Sequence, residues 1–286
     1  MPLIPTLPTQ PGYRPQAADT SIEADVFYFT SLRQKSLTWR TERFISFNRS
    51  TRHLCLSAAK TQSLHTPIRS EYVRRRLGLK WVDCIASLEG EVVVVDPIAF
   101  ARKVISILEP LNIAYYVGGS VASSLLGENR YTEDLDLIIE LDEIKAKPLL
   151  AAFLDASFYI SDIAVEDAVS GRCSSFNVLD NETLEKADLF VLQNTPFAKS
   201  KMTRRIQQLL PDGQWIWISS PEDIVLQKLV WGRDSQSEKQ WRDVLGVLKL
   251  QGTNLDFEYL RQWGRELNLV EVLDRALREA GLSEAK

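Results

Sequence analysis

Residues 113–141 read IAYYVGGSVASSLLGENRYTEDLDLIIEL, and their pattern decides how the rest of the chain is understood. Residues 113–117 are rich in Ile, Tyr and Val, which favours a strand. Gly118 and Gly119 follow. Lacking a Cβ, they let the backbone turn sharply and come close to a ligand. Ser120 stands where an N-cap belongs, ahead of a short helical segment over 121–126, and Gly127 is a natural stop. The free N–H groups at such a helix start suit a phosphate. Further on, Leu135 and Leu137 alternate with Asp134 and Asp136. A strand has period two, so the aspartates share one face and the leucines pack on the other. Two carboxylates on one strand face, beside an anion-binding turn, are equipped to hold Mg²⁺ against a triphosphate.

Neither half of this pattern is specific alone. Strand–Gly-Gly–helix turns occur for steric reasons in many α/β folds. This one lacks the third glycine of a dinucleotide-binding fingerprint and the Gly-Lys-Ser/Thr of a P-loop. Two acids alternating with leucine also describe the wet face of any half-buried strand. The order in which they come together carries the information: glycine turn, short helix, then acid pair on an apolar strand.

The neighbouring sequence supplies more elements. Asp96 and Pro97 form a strong helix start, and Phe100, Val104, Ile107 and Leu108 recur at helical spacing before Pro110. Downstream, 145–156 and 163–169 read as helices. Residues 175–179 and 187–192 read as a hairpin around Asp180-Asn181-Glu182-Thr183. Its second arm carries Asp188. If that arm lies beside the Asp134/Asp136 strand, Asp188 joins the other two carboxylates. Glu185 is an alternative, and Asp180 a weaker one that a turn already explains. Lys199, Lys201, Arg204 and Arg205 form a local basic cluster, and 214–218 reads as a strand. Ser220-Pro221-Glu222-Asp223 opens a helix. Trp241, Val244, Leu245 and Leu248 mark another, and 256–267 and 269–280 complete a helical C-terminal region.

Residues 1–20 hold five of the twelve prolines and read as disordered. Residues 21–90 show no sustained period. VFYFT and RFISF would make short strands, and Arg49, Arg52, Arg69 and Arg74-Arg75-Arg76 lie among Ser and Thr. A poorly ordered basic leader over 1–90 is the expectation, with a nucleic-acid-binding arm and a targeting segment as other readings. On this view Val92 to Val95 marks the true domain edge, and the natural start lies downstream of residue 1.

Composition narrows the classes. Residues 1–90 carry 13 Lys and Arg against 7 Asp and Glu, whereas 91–286 carry 21 against 31. The part with the chemistry is acidic and shows no broad basic surface for gripping nucleic acid. No apolar run reaches membrane-spanning length, so no membrane association is expected. Cys55, Cys84 and Cys173, scattered and odd in number, point to a reducing compartment and a cytoplasmic location.

The stretch GGSVASSLLGENRYTEDLDL resembles the polymerase-beta-like nucleotidyltransferase superfamily. It is similar to bacterial members described as nucleotidyltransferase-like or as abortive-infection, type IV toxin relatives. The resemblance covers roughly Val92 to the C-terminus. It implies an α+β nucleotidyltransferase fold: a short mixed sheet, flanking helices and a helical C-terminal region. The organisation expected is a leader (1–90), a nucleotidyltransferase-like core (91–218) and a C-terminal helical region packed on it (219–286).

The implied activity is Mg²⁺-dependent transfer of a nucleoside monophosphate from an NTP to an acceptor hydroxyl on RNA or protein, with a toxin-like role and an antitoxin partner. Two Mg²⁺ ions about 3.5–4 Å apart would stabilise the entering and leaving oxygens. By resemblance, Asp134 and Asp136 bind metal and Asp188 completes the site on the attacking side. Gly118, Gly119 and Ser120 meet the phosphates. Arg130 either contacts phosphate or pairs with Glu128 or Glu133. Lys228 either approaches the triphosphate or faces solvent. Arg242 and Asp243 either pair structurally or line the acceptor side. The alternative function is a catalytically silent nucleotide-binding or toxin–antitoxin interaction module on the same fold.

Overall fold

The computed structural model describes residues 11–62, 66–235 and 237–282. In chain order its helices begin with α1 (Ile22–Arg33), α2 (Leu37–Gln62), α3 (Ile68–Leu77) and α4 (Pro97–Leu108). Strand β1 (Tyr115–Val117), helix α5 (Gly119–Leu126) and strand β2 (Leu135–Ile139) follow, then α6 (Glu143–Asp155), β3 (Phe158–Ile160) and α7 (Asp162–Val169). The hairpin strands β4 (Ser175–Asp180) and β5 (Lys186–Val191) precede α8 (Pro196–Arg204), β6 (Ile206–Leu209) and β7 (Trp215–Ile218). Helices α9 (Pro221–Ser235), α10 (Glu238–Gln251), α11 (Phe257–Glu266) and α12 (Val270–Glu279) end the chain. The α+β expectation holds: one mixed sheet with helices, and a helical C-terminal region.

Two compact units divide the chain. The first holds residues 43–121 and 130–218 and contains every strand. Its sheet order is β3-β4-β5-β2-β1-β7-β6. The central pairings are β2 antiparallel to β1 and parallel to β5. Strand β2 alternates buried and half-buried residues, as Leu135, Leu137 and Ile139 predict. The hairpin turns on Asp180, whose carboxylate accepts the Glu182 N–H at 3.0 Å and the Thr183 hydroxyl at 2.7 Å. Strand β6, which carries no clear alternation, pairs with β7 and goes unread in the sequence.

Residues 21–90 differ from the leader expected. VFYFT lies in α1 and RFISF in α2. The buried positions of α2 are Thr41, Phe44, Asn48, Arg52, Leu56 and Ala59, a regular helical stripe. Three of the six are polar, so no apolar period is visible. They are satisfied inside the fold. Asn48 accepts the Thr132 N–H at 3.0 Å, and Arg52 donates twice to Glu185 at 3.1 Å. Leu56, Ala59, Tyr72, Val73, Trp81 and Ile85 then pack with Leu179 and Leu184 of the hairpin turn region. Residues 43–90 therefore belong to the same unit as the strands. The part of the expected disorder over 1–10 lies outside the described residues.

The second unit holds the described residues of 1–42, 122–129 and 219–286. Ser220 opens α9, accepting the Asp223 N–H at 3.2 Å and donating to its carboxylate at 2.8 Å. Ser237 and Asp256 cap α10 and α11 as their positions suggest. Gly127 does more than end a helix. A Cβ there would lie 2.7 Å from the Val247 backbone nitrogen, so only glycine permits this approach.

Candidate active site

Strands β2 and β5 run parallel with Asp136 directly opposite Asp188. Residues opposed in register point to the same face, so the adjacency that the Asp188 assignment needs is present. Asp134 lies two residues earlier on the chain. On the other side of Asp188, Asn177 of β4 is its antiparallel partner and donates its amide to the carboxylate.

The glycine turn meets Asp136. The Gly118 N–H donates to the Asp136 carbonyl at 2.9 Å. Gly119 has a φ of 50°, a conformation costly for other residues. A Cβ at Gly119 would sit 2.8 Å from the Asp136 Cβ and overlap its Oδ2. The carboxylate thus lies against bare backbone at the start of α5. That helix begins at Gly119, not after Ser120, so Ser120 sits in its first turn and is not the N-cap. The Ser120 hydroxyl accepts from Arg130 at 2.6 Å, and Arg130 also donates to the Tyr131 carbonyl at 3.1 Å. Arg130 is thereby held beside the glycine turn. Glu128 receives Arg242, at 2.9 and 2.8 Å.

One site residue has no counterpart in the pattern read from the sequence. Lys186, two residues before Asp188 on β5, reaches the Asp188 carboxylate oxygens at 2.7 and 2.9 Å and Asp134 at 3.1 Å. Its side chain is 11% exposed, and its ammonium lies 5.6 Å from the centre of the Trp81 ring. Burial disfavours its charge, but hydrogen bonds and attraction from Asp188 and Asp134 outweigh burial and raise its pKa. The available signal was the i, i+2 spacing of a lysine and an aspartate on one strand face.

The alternatives to Asp188 are used elsewhere. Glu185 is buried and takes bidentate hydrogen bonds from both Arg52 and Arg76. Asp180 pairs with Lys103 at 2.9 Å while holding the hairpin turn. Lys228 belongs to the helical unit. It does not face solvent: it is 2% exposed and pairs with Asp243 at 2.7 Å and Gln240 at 3.0 Å.

The donor set suits a hard divalent cation, since Asp134, Asp136 and Asp188 offer only carboxylate oxygens. Among the described residues, no three His, Cys, Asp or Glu side chains are gathered closely enough to hold a metal as they stand. The Lys186 ammonium spans Asp134 and Asp188 instead. A cation binding the Asp134 and Asp188 oxygens would have to displace that ammonium.

No family model and no curated protein matches the sequence. Solved structures do match. The antibiotic-resistance factor ANT(2'')-Ia in solution is 13% identical at a TM-score of 0.43, covering 62% of this chain and 95% of its own. A nucleotidyltransferase-like protein from Paracoccidioides brasiliensis is 21% identical at a TM-score of 0.40, covering 65% of this chain and 93% of its own. ANT(2'')-Ia in complex with adenylyl-2''-tobramycin is 15% identical at a TM-score of 0.40, covering 59% and 97%. At these levels the likeness concerns the backbone alone. Any chemical reading must stand on the side chains of this chain.

Proposed function

We propose that the chain is a nucleotidyltransferase, moving a nucleoside monophosphate from an NTP to an acceptor hydroxyl. The observation that carries this reading is the register of Asp136 with Asp188 on adjoining parallel strands, with the Asp136 carboxylate against the Gly119 backbone. In such a reaction the acceptor oxygen attacks the α-phosphorus in line, and pyrophosphate leaves on the opposite side. Asp134, Asp136 and Asp188 would hold two Mg²⁺ ions. When bound, those ions supply neutralisation of the phosphoryl oxygens and a lowered pKa for the acceptor hydroxyl.

The protein's own groups have separate tasks. The start of α5 would face the β- and γ-phosphates, where a helix N-terminus favours negative charge. Gly119 keeps that approach open. Arg130, tethered to Ser120, adds a fixed positive charge at the same turn. Asn177 orients Asp188 from the far side. Lys228, buried against Asp243, is assigned a supporting role in its own unit.

Acceptors on RNA or protein, a toxin-like role with an antitoxin partner, and a cytoplasmic location complete the proposal. Incubation with α-labelled NTPs, Mg²⁺ and cell extract is expected to label an acceptor, and Asp136→Ala to abolish the labelling. Equal labelling by the variant would refute the assignment. A second reading, a catalytically silent nucleotide-binding module, is favoured by one observation: the Lys186 ammonium already pairs with both Asp134 and Asp188. NTP binding by calorimetry that ignores Mg²⁺, together with no labelling, would select it.

A further inference from the structure

Lys186 bridges two of the three aspartates assigned above, and it does so from a prepared position. Strand alternation puts it on the Asp188 face of β5. Trp81 flanks its ammonium, which leaves the side chain little room to wander. The ammonium makes three contacts of 2.7–3.1 Å with the two carboxylates. The side chain is 11% exposed and reaches from β5 to Asp134, the residue before β2. Ammonium and divalent cation seek the same oxygens, and two cations cannot share them without strong repulsion.

We propose that Lys186 is a resident counter-cation. Its ammonium holds Asp134 and Asp188 in the metal-free protein, and a divalent ion enters there only by exchange with it. This rests on the nucleotidyl-transfer reading of the three aspartates. No covalent change is involved: one tethered positive charge leaves the carboxylates as the ion arrives. The consequence is that the site binds metal weakly by itself. A lysine serving only as structural cement predicts the reverse, because its removal would loosen the carboxylates and weaken metal binding.

The test is a titration of the full chain with Mn²⁺, without nucleotide, read by calorimetry and by the magnetic resonance of free Mn²⁺. Lys186→Met and Lys186→Gln are both expected to tighten binding by at least about tenfold, as removal of one adjacent like charge should. Asp188→Asn in the Lys186→Met background is expected to cancel the gain. Unchanged or weaker affinity in both lysine variants overturns the proposal, and so does a gain that survives Asp188→Asn. Should a variant need help to fold, Mn²⁺-dependent recovery of its circular dichroism supports the exchange, and no recovery counts against it. The two levels of claim separate cleanly. If Asp136→Asn abolishes Mn²⁺ binding while the lysine variants gain nothing, only the Lys186 assignment falls. If no form binds Mn²⁺, the metal reading falls with it.

Discussion

A methyl group at position 119 is the smallest change that reaches the site. Gly119→Ala would force an L-residue into a φ of 50°, costing on the order of 1–2 kcal/mol, and would drive a Cβ into the Asp136 carboxylate. Asp136 must then turn away from the α5 start. Displacement of a reacting group by about 1 Å costs on the order of 100-fold in rate, so NTP labelling should fall at least that far. Thermal melting would separate this from unfolding: a folded Gly119→Ala protein with near-normal labelling would contradict the placement of the carboxylate. Gly119 and Asp136 were legible because each is an unusual residue type in a fixed place, a glycine pair after a strand and an acid on an apolar strand. Lys186 was not legible. A lysine on a strand edge reads as solvated until the neighbouring strand and its acid are known.

At the scale of elements, the main departure is in the helices over residues 22–77. Short-range signals served well wherever an element declares itself locally. The Asp96-Pro97 start, the Ser220 cap and the 175–192 hairpin are of that kind. Helix α2 declares itself only in three dimensions. Its inward stripe uses Thr41, Asn48 and Arg52: Thr41 donates to the Leu37 carbonyl of its own helix, and Asn48 and Arg52 meet partners distant in sequence. Arg52 of α2 and Arg76 of α3 converge on Glu185, with all three side chains about 1% exposed. For Arg76 burial opposes the charge, but attraction to Glu185 prevails and raises its pKa well above normal. Glu185→Ala would leave two guanidinium groups buried without their acid. A loss of roughly 3–5 kcal/mol in unfolding free energy is expected from denaturant titration. A loss under about 1 kcal/mol would mean that these helices do not rely on the β5 end for their anchoring.

Across the whole molecule, the charge asymmetry has a different meaning in the structure than in the sequence. The positive excess of residues 1–90 suggested an arm for nucleic acid. Several of those charges are taken up internally. Arg52 and Arg76 serve Glu185, Arg69 donates to the carbonyls of Ser87 and Glu91, and Arg74 and Arg75 pair with Glu71. Arg52, Arg69 and Arg76 are buried and so not displayed for phosphate binding, whereas Arg74 stays half-exposed beside Glu71. The division into units was half legible. A boundary falls after Ile218, where the Ser220 helix start announces it. The chain also crosses between units after Glu42 and Val121, inside α2 and α5 where no break signal exists, and after Asn129 in the loop beyond Gly127.

The claim on which the functional account stands is that Asp136 and Asp188, opposed across two parallel strands, grip a cation next to the Gly119 turn. Crystals of the full chain grown with Mn²⁺ and a non-hydrolysable NTP would show this through the anomalous signal of the metal. The account predicts a Mn²⁺ peak between the Asp136 and Asp188 carboxylates, with the phosphates over the first turn of α5. A nucleotide bound elsewhere, or a peak that touches neither aspartate, would contradict it.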